Sequence, residues 1–334
     1  MSKHPPRRAG RSPSADRGRG GRAASPPGSA RGTLRSSPVT RPAPMRLALA
    51  VVLALASALP ALAQSDEEPD DRRPPLFVLE DGDSRVVLLG SVHFLPADAL
   101  PLPAHVEAAY DAADVVAFEL DLDLAQAGAQ GMMAAGMDEE TVAEALTDEQ
   151  KAAFNAAVAP LGVPAGAFDA FEPWLAGLTY SVLMAQKSGA TPDGGVDAHL
   201  FARAKADGKE RVPFETVALQ TAAFDDLPTS VQVAFLMDTI EDADTNPAAL
   251  FDDMVDAWST GDDEALVALV NEGMTQPEVF EALLVTRNRA WVPQILSLLD
   301  RDHDALVVVG AGHLVGPQSV VEMLREDGYT VERM

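Results

Sequence analysis

Two apolar runs near opposite ends of the chain lead into the same short motif. Residues 85–89 precede Gly90-Ser91-Val92-His93, and residues 305–309 precede Gly310-Ala311-Gly312-His313, 220 residues later. Short runs rich in Val and Leu are typical of buried β-strands. A glycine lets the backbone turn where such a strand ends, so each histidine is expected at the carboxyl edge of a sheet, where open α/β sheets bind ligands. If the two strands are neighbours, both imidazoles converge on one point, and the sheet is built from both ends of the chain.

Strand and helix patterns alternate through the rest of the chain. Further strands are predicted by short apolar or β-branched runs at residues 76–79, 114–120, 211–214 and 329–332. Helices are predicted at residues 103–113, 139–158, 173–187, 197–207 and 318–326, and residues 230–301 are predicted to be wholly helical. Asp197, at the start of one helix, is interpreted as its N-terminal cap. The pattern predicts an α/β (α+β) fold, with a central mixed β-sheet from both chain ends and a large helical insertion.

The charge of the chain is strongly acidic and unevenly distributed. Residues 64–334 carry 50 acidic and 14 basic side chains, a formal charge of −36. Nucleic acid is excluded as a partner of such a surface, because binding to phosphates depends on Lys and Arg. The chain contains no cysteine, which excludes disulfides, thiolate metal sites, a cysteine nucleophile and a lipoprotein anchor.

The N-terminal part of the chain is set apart from the predicted fold. Residues 1–44 form a basic, low-complexity extension, which is either an untranslated stretch upstream of Met45 or a long basic leader. Residues 45–63 have a positive start, an apolar centre and an A-x-A site, which predicts a signal peptide cleaved after Ala63. An uncleaved apolar stretch could instead act as a membrane anchor. After cleavage we expect a periplasmic or secreted protein without stable membrane insertion, with an acidic linker at 64–74 and a domain at 75–334.

A third predicted strand carries carboxylates towards the same edge of the sheet. Residues 114–120 are apolar except for Asp114 and Glu119, and Asp121 follows. A carboxylate in such a strand is paired, bound to metal or located at the wet end, unless it lies on an exposed face. His93, His313 and Glu119 are a normal ligand set for a divalent metal with an activated water. The same residues could perform acid–base catalysis without metal, with either histidine taking a proton from water.

The order of the motifs resembles that of the TraB/GumN family. The matching blocks cover residues 75–333 and include Gly90-Ser91-Val92-His93, Phe118-Glu119, Phe214-Glu215-Thr216, Arg287-Asn288 and Gly310-Ala311-Gly312-His313. The family includes the TIKI metalloproteases, whose two Gly-x-x-His motifs and acidic residue are implicated in metal-dependent peptide cleavage. The resemblance implies that His93, His313 and Glu119 take those positions. It further implies a second acidic position at Glu215 and a polar pair at Arg287 and Asn288.

These observations predict an exported, metal-assisted hydrolase that cleaves peptide or related amide bonds. In this hypothesis His93, His313 and Glu119 hold a divalent ion (Mn, Co or Zn) or position water. Glu215 acts as the general base or supports the ligands, and Arg287 with Asn288 orients a peptide or small-molecule substrate. Two alternatives remain: a non-catalytic periplasmic protein that captures haem or a metal ion, and an exported interaction protein with an idle site.

Overall fold

A computed structural model describes residues 71–82, 84–95, 99–189, 194–245 and 247–334, with only the backbone described for residues 126 and 242–251. The predicted extension at 1–44, the signal peptide at 45–63 and most of the linker at 64–74 lie outside these ranges. Within them, no helix is long and apolar enough to cross a membrane.

A six-stranded mixed sheet forms the centre of the molecule, as the sequence predicts, and the fold belongs to the α+β class. Its strands are β1 (Leu76–Glu80), β2 (Arg85–Ser91), β3 (Val115–Phe118), β4 (Glu210–Pro213), β5 (Ala305–Gly310) and β6 (Val331–Arg333). They lie in the order β4-β3-β5-β2-β1-β6. The first four in that order are mutually parallel, and β1 is antiparallel to both of its neighbours. Strands from the two ends of the chain are therefore direct neighbours, as expected.

Thirteen α-helices lie in the described ranges. They are α1 (Ala104–Ala112), α2 (Leu122–Ala135), α3 (Val142–Ala145), α4 (Asp148–Val158), α5 (Pro173–Lys187), α6 (Val196–Asp207), α7 (Val217–Asp225), α8 (Thr229–Thr245), α9 (Pro247–Thr260), α10 (Asp263–Gly273), α11 (Pro277–Phe280), α12 (Thr286–Leu299) and α13 (Val320–Glu326). A π-helix at Glu281–Val285 joins α11 to α12. Helices α2 and α7 are not predicted from the sequence.

The single helix predicted at residues 139–158 is two helices in the structure. Thr141 and Thr147 each begin one of them with a capping box, in which Glu144 and Gln150 bond back to the capping residue. The backbone of Thr147 is extended, so the helical pattern is interrupted at this residue. Helix α3 ends before Thr147, and α4 begins after it.

Helices cover both faces of the sheet. On one face, Val87, Leu89 and Val308 pack with residues of α1, α6 and α9, including the buried Trp258. On the other, Leu88 and Val307 pack with α12 and α13. Because β2 and β5 are buried on both faces, they are continuous apolar runs rather than alternating ones.

The helical insertion between β3 and β5 contains a core of its own. Residues of α3, α4, α5 and α8 form a separate apolar cluster around Phe154, Trp174 and Leu236. The predicted large helical insertion is thus confirmed as a second packed layer, which stands beside the sheet.

The two histidine motifs are out of register by one residue. Gly90 of β2 pairs with Val309 of β5, and Ser91 pairs with Gly310. Neighbouring residues alternate between the two faces of a sheet, so a shift of one residue moves equivalent positions to opposite faces. The glycines of the two motifs therefore face different helical layers, although both motifs have the form Gly-x-x-His.

Replacing Gly90 with alanine should destabilise the fold. The added Cβ would lie 3.0 Å from both Ala311 Cα and Pro75 Cβ, and overpacking of this kind costs about 1–3 kcal/mol. We expect the free energy of unfolding, measured in urea, to fall by that amount. Gly82→Ala is the matched control, because nothing lies within 4 Å of its added Cβ. Equal stabilities of the two variants would contradict this packing.

Candidate functional site

The carboxyl ends of the four parallel strands each deliver one candidate residue. Glu215 follows β4, Glu119 follows β3, His313 follows β5 and His93 follows β2, in the same order as the strands. Two backbone bonds continue the pairing of β3 and β4 beyond their ends, from Phe214 N to Phe118 O (2.8 Å) and from Glu215 N to Glu119 O (2.9 Å). The predicted residues therefore share the edge at which open α/β sheets bind ligands.

The Arg287 guanidinium is the centre of this arrangement. Its Nη2 lies 2.6 Å from Glu119 Oε2 and 2.9 Å from Glu215 Oε2. Its Nε donates to the Glu215 carboxylate, and its Nη1 donates to Leu283 O (2.9 Å) and to His313 Nε2 (3.1 Å). All three nitrogens are engaged inside the protein, so a substrate reaches the guanidinium only if one of these contacts is lost.

Local structure positions this arginine. It lies in the first turn of α12, directly after the π-helix. Its guanidinium donates a hydrogen bond to the carbonyl of Leu283 within that π-helix. Its guanidinium carbon is 4.8 Å from the centre of the Trp291 ring, one turn further along. The indole Nε1 of Trp291 donates to Glu215 Oε1 (2.9 Å). Irregular π turns are frequent at functional sites, and this one supplies the Leu283 carbonyl that Arg287 bonds to.

Glu119 is held as a carboxylate by the groups around it. Its Oε1 accepts from the backbone N–H of Gly310 (2.7 Å), and its Oε2 accepts from Gln220 Nε2 (3.2 Å) as well as from Arg287. Burial alone would raise the pKa of Glu119, but His313, Arg287 and His93, with the Gly310 amide, lower it to about 2. The carboxylate that interrupts the apolar strand is thus paired rather than exposed.

His313 is buried and neutral, and its hydrogen bonds define its tautomer. Asn288 Nδ2 donates to Gln318 O (2.8 Å), so Asn288 Oδ1 is the acceptor of the bond from His313 Nδ1–H (2.6 Å). His313 Nε2 is therefore the nitrogen with the lone pair, and it accepts from Arg287. Its ring packs 4.4 Å from that of Trp291, and burial lowers the pKa of His313 to about 3. In this arrangement His313 and Asn288 hold one another and Arg287 in place.

His93 has a different environment. Its Nδ1 lies 3.2 Å from Asp197 Oδ1, and 58% of its side chain is exposed. No hydrogen bond engages its Nε2 within the described part of the chain. The Asp197 carboxylate raises the pKa of His93, although water screens a pair that is exposed to this extent. An imidazole bonded through Nδ1 to a carboxylate, with Nε2 free, is the arrangement of a proton-transfer group.

The start of α6 is hydrogen-bonded to the backbone of the first motif, Gly90-Ser91-Val92-His93. The N–H of Val196 donates to Val92 O (3.1 Å), and a Cβ on Gly195 would lie only 2.4 Å from His93 O. Glycine is required at this close approach. The interpretation of Asp197 as the helix cap is wrong: Gly195 is the capping residue, and Asp197, in the first turn, directs its carboxylate at His93.

A cleft of about 470 Å³ lies above the sheet edge and is lined by His93, His313, Glu119 and Arg287. The opposite wall belongs to the helical insertion and is mostly apolar. It includes Met132 of α2, Leu178 of α5, Phe224 of α7, Met254 of α9 and Met274 beyond α10. The site therefore joins a charged floor to a methionine-rich wall, a composition typical of ligand pockets.

The three predicted metal ligands do not fit a metal ion in this arrangement. Both ring nitrogens of His313 and both oxygens of Glu119 are engaged by protein groups, and the Arg287 guanidinium stands between them. His313 Nε2 and Glu119 Oε1 are 4.0 Å apart. No cluster of three His, Cys, Asp or Glu side chains in the described residues is arranged to hold a metal. A cation that shares these two residues would have to displace Arg287.

The structure brings every predicted site residue to one edge, in two groups. Glu119, Glu215, Arg287, Asn288 and His313 form one bonded network. His93 faces the same cleft from the other helical layer. The sequence analysis missed Asp197 as the partner of His93 and Gln220 as a donor to Glu119. The sequence shows an acidic residue, Asp197, two positions after Gly195, but it does not show how close this residue lies to His93.

Removing the Arg287 charge should destabilise the protein strongly. Arg287→Gln leaves two buried carboxylates without their cation, and breaking such a buried pair costs about 3–5 kcal/mol. Arg289→Gln, two residues away, is the matched control, because Arg289 is exposed and pairs with the exposed Glu281. We expect that control to change the free energy of unfolding by less than about 1 kcal/mol. Similar urea midpoints for the two variants would contradict the central role of Arg287.

Comparison with known proteins agrees with the family resemblance of the sequence motifs. The family model described as TraB/PrgY/gumN family matches residues 75–333. The uncharacterized protein YbaP of Escherichia coli (strain K12) is 26% identical over 257 residues, which cover 75% of this chain and 92% of YbaP. A metalloprotease TIKI homolog of Amphimedon queenslandica is 30% identical over 164 residues, which cover 42% of this chain and 32% of that protein. No solved structure matches the chain significantly. The chain therefore belongs to the TraB/PrgY/gumN family.

Proposed function

We propose that this protein is a hydrolase of peptide or related amide bonds, with His93 as its proton-transfer group. The observation that carries the proposal is the pair formed by His93, which lines the cleft, and Asp197. Asp197 holds Nδ1–H, which directs the lone pair of Nε2 outward and stabilises the imidazolium once it forms. Family membership and the metalloprotease relative support hydrolysis as the reaction class.

In the proposed reaction, the neutral form of His93 takes a proton from water at Nε2 as the water oxygen bonds to the substrate carbonyl carbon. The Asp197 carboxylate raises the pKa of His93, so the neutral form, and with it turnover, increases as the pH rises. The imidazolium then gives that proton to the leaving nitrogen as the carbon–nitrogen bond breaks. Glu119 is a weaker base than His93, because its carboxylate is fully hydrogen-bonded and its pKa is low. The network around Arg287 provides fixed charges and a rigid floor, which need no reorganisation during the reaction.

A second candidate is the metal-dependent peptidase expected from the sequence, with His93, His313 and Glu119 as ligands for Mn, Co or Zn. The observation in its favour is the 30% identity to a metalloprotease TIKI homolog. This candidate requires Arg287 to move, because its guanidinium now bonds to both His313 and Glu119. We therefore rank it below the reaction in which His93 acts on water directly.

We also propose that the protein acts outside the cytoplasm. The support is the signal-like sequence at residues 45–63, followed by an acidic linker. N-terminal sequencing of the protein from the periplasm or the medium should give a chain that begins at Gln64. A chain that stays in the cytoplasm with residues 45–63 intact would contradict export.

Replacing His93 should abolish turnover without unfolding the protein. General acid–base catalysis contributes about 10²–10⁴-fold, so hydrolysis of a fluorogenic peptide library by His93→Gln should fall by at least about 100-fold. His303→Gln is the control, since His303 is an exposed histidine outside the cleft. Full activity of His93→Gln would contradict the proposal. If wild type binds haem with a Soret band that His93→Gln lacks, and cleaves nothing, the non-catalytic binder is supported instead.

Metal removal separates the two catalytic candidates. Because Arg287 bonds to both His313 and Glu119 where a metal ion would have to bind, we expect hydrolysis to survive EDTA and the purified protein to contain less than one equivalent of metal. The measurements are elemental analysis and peptide turnover, before and after addition of Mn²⁺, Co²⁺ or Zn²⁺. Turnover that is lost in EDTA and restored by one of these ions would favour the metal-dependent peptidase and a displaced Arg287.

A further inference from the structure

Ser91, the last residue of β2, carries a buried hydroxyl without a partner. The residue is 2% exposed, and its Oγ makes no hydrogen bond within the described part of the chain. Buried polar atoms nearly always have a partner, which is either protein or ordered water. Two residues before His93, this hydroxyl needs a partner that the described residues do not supply.

Ser91 lines a small polar cavity beside the main cleft. This cavity measures about 80 Å³ and has Ser91, His93, Glu119, Asp197 and Gln220 in its wall. Phe118 of β3 and Val308 of β5, on the sheet face that packs against α6, form part of its apolar side. Ser91 points to this layer because it follows Val87 and Leu89 at alternate positions along β2.

The size and polarity of the cavity suit water. About 10–15 Å³ of this kind of space holds one water molecule, provided that two to four polar partners surround it. A cavity of about 80 Å³ with five polar residues meets both conditions. Ser91, His93, Glu119 and Gln220 also line the main cleft, so water in the cavity borders the space in which a substrate lies.

We propose that this cavity is a water-binding chamber and that the Ser91 hydroxyl positions the water that attacks the substrate. The water donates one hydrogen to His93 Nε2 and the other to Ser91 Oγ, so that a lone pair of its oxygen faces the cleft. Ser91 can accept this bond and still donate its own hydrogen within the chamber, because a hydroxyl has one hydrogen and two lone pairs. Ser91 is a positioning residue: it forms no bond to the substrate. Its catalytic role rests on the proposed hydrolase function, whereas the bound water does not.

A high-resolution crystal structure of the purified wild-type protein tests the water directly. We expect an ordered water within hydrogen-bond distance of Ser91 Oγ, and its loss in Ser91→Ala. A chamber without water beside Ser91 in wild type would overturn the inference. This measurement needs no turnover, so it stands apart from the proposed function: if the water is present and no substrate is cleaved, only the hydrolase proposal fails.

Kinetics of Ser91→Ala test the positioning role. With a fluorogenic peptide that wild type cleaves, we expect kcat to fall about 100-fold, the loss typical of misplacing a reacting group by about 1 Å. KM should stay within about twofold, and Ser91→Thr, which keeps the hydroxyl, should recover most of kcat. A purely structural role would leave kcat unchanged in Ser91→Ala while altering the melting temperature, and that result would overturn the inference.

Thr221→Val is the matched control for these measurements. The Thr221 hydroxyl is also buried and without a partner in the described residues, but it lines neither the chamber nor the main cleft. Valine removes that hydroxyl at nearly constant volume. We expect wild-type kcat for Thr221→Val. A loss equal to that of Ser91→Ala would show that removal of any orphan hydroxyl in this region slows the reaction, and it would overturn a specific role of Ser91.

Discussion

The site depends on one buried cation, Arg287, that is shared by two buried carboxylates. Arg287 joins the end of β3 through Glu119, the end of β4 through Glu215 and the turn after β5 through His313. Each of these charges alone would be costly to remove from water, and burying them is feasible because their hydrogen bonds are satisfied together. The carboxyl edge of the sheet is therefore a rigid electrostatic unit, held by a helix that begins at a π turn. Loosening any member would leave the others unpaired.

The histidines of the two Gly-x-x-His motifs have different environments. His313 is buried against Trp291, neutral, and bonded at both ring nitrogens. His93 is half-exposed, paired with Asp197, and has its second ring nitrogen free among the described contacts. The cause is the one-residue offset between β2 and β5, which sends equivalent motif positions to opposite faces of the sheet. His313 bonds to Asn288 of α12 and His93 bonds to Asp197 of α6, so two motifs of the same Gly-x-x-His form differ in chemistry.

The remaining parts of the site come from elements that surround this edge. Helix α6 is fastened to the backbone of the first motif and brings a carboxylate to His93. The helical insertion has its own core, so it can present a methionine-rich wall to the cleft without weakening the sheet. The proposed water chamber has both Ser91 and the His93 imidazole in its wall. The proposed proton-transfer group, water site and apolar substrate wall therefore come from different parts of the fold.

The sequence by itself determined the central sheet from both chain ends, the helical insertion and the identity of the residues at the carboxyl edge. It could do so because buried strands and their terminal glycines leave local patterns, and because Glu119 stands out in an apolar run. It did not reveal the π turn, nor α2 and α7, although Asp121 and Thr216 cap those two helices with their side chains. Only the tertiary structure decided which histidine pairs with Asp197 and which with Arg287. Those partners lie 104 and 26 residues from the histidines along the chain, and their contacts follow from strand register and helix position, which no local pattern encodes.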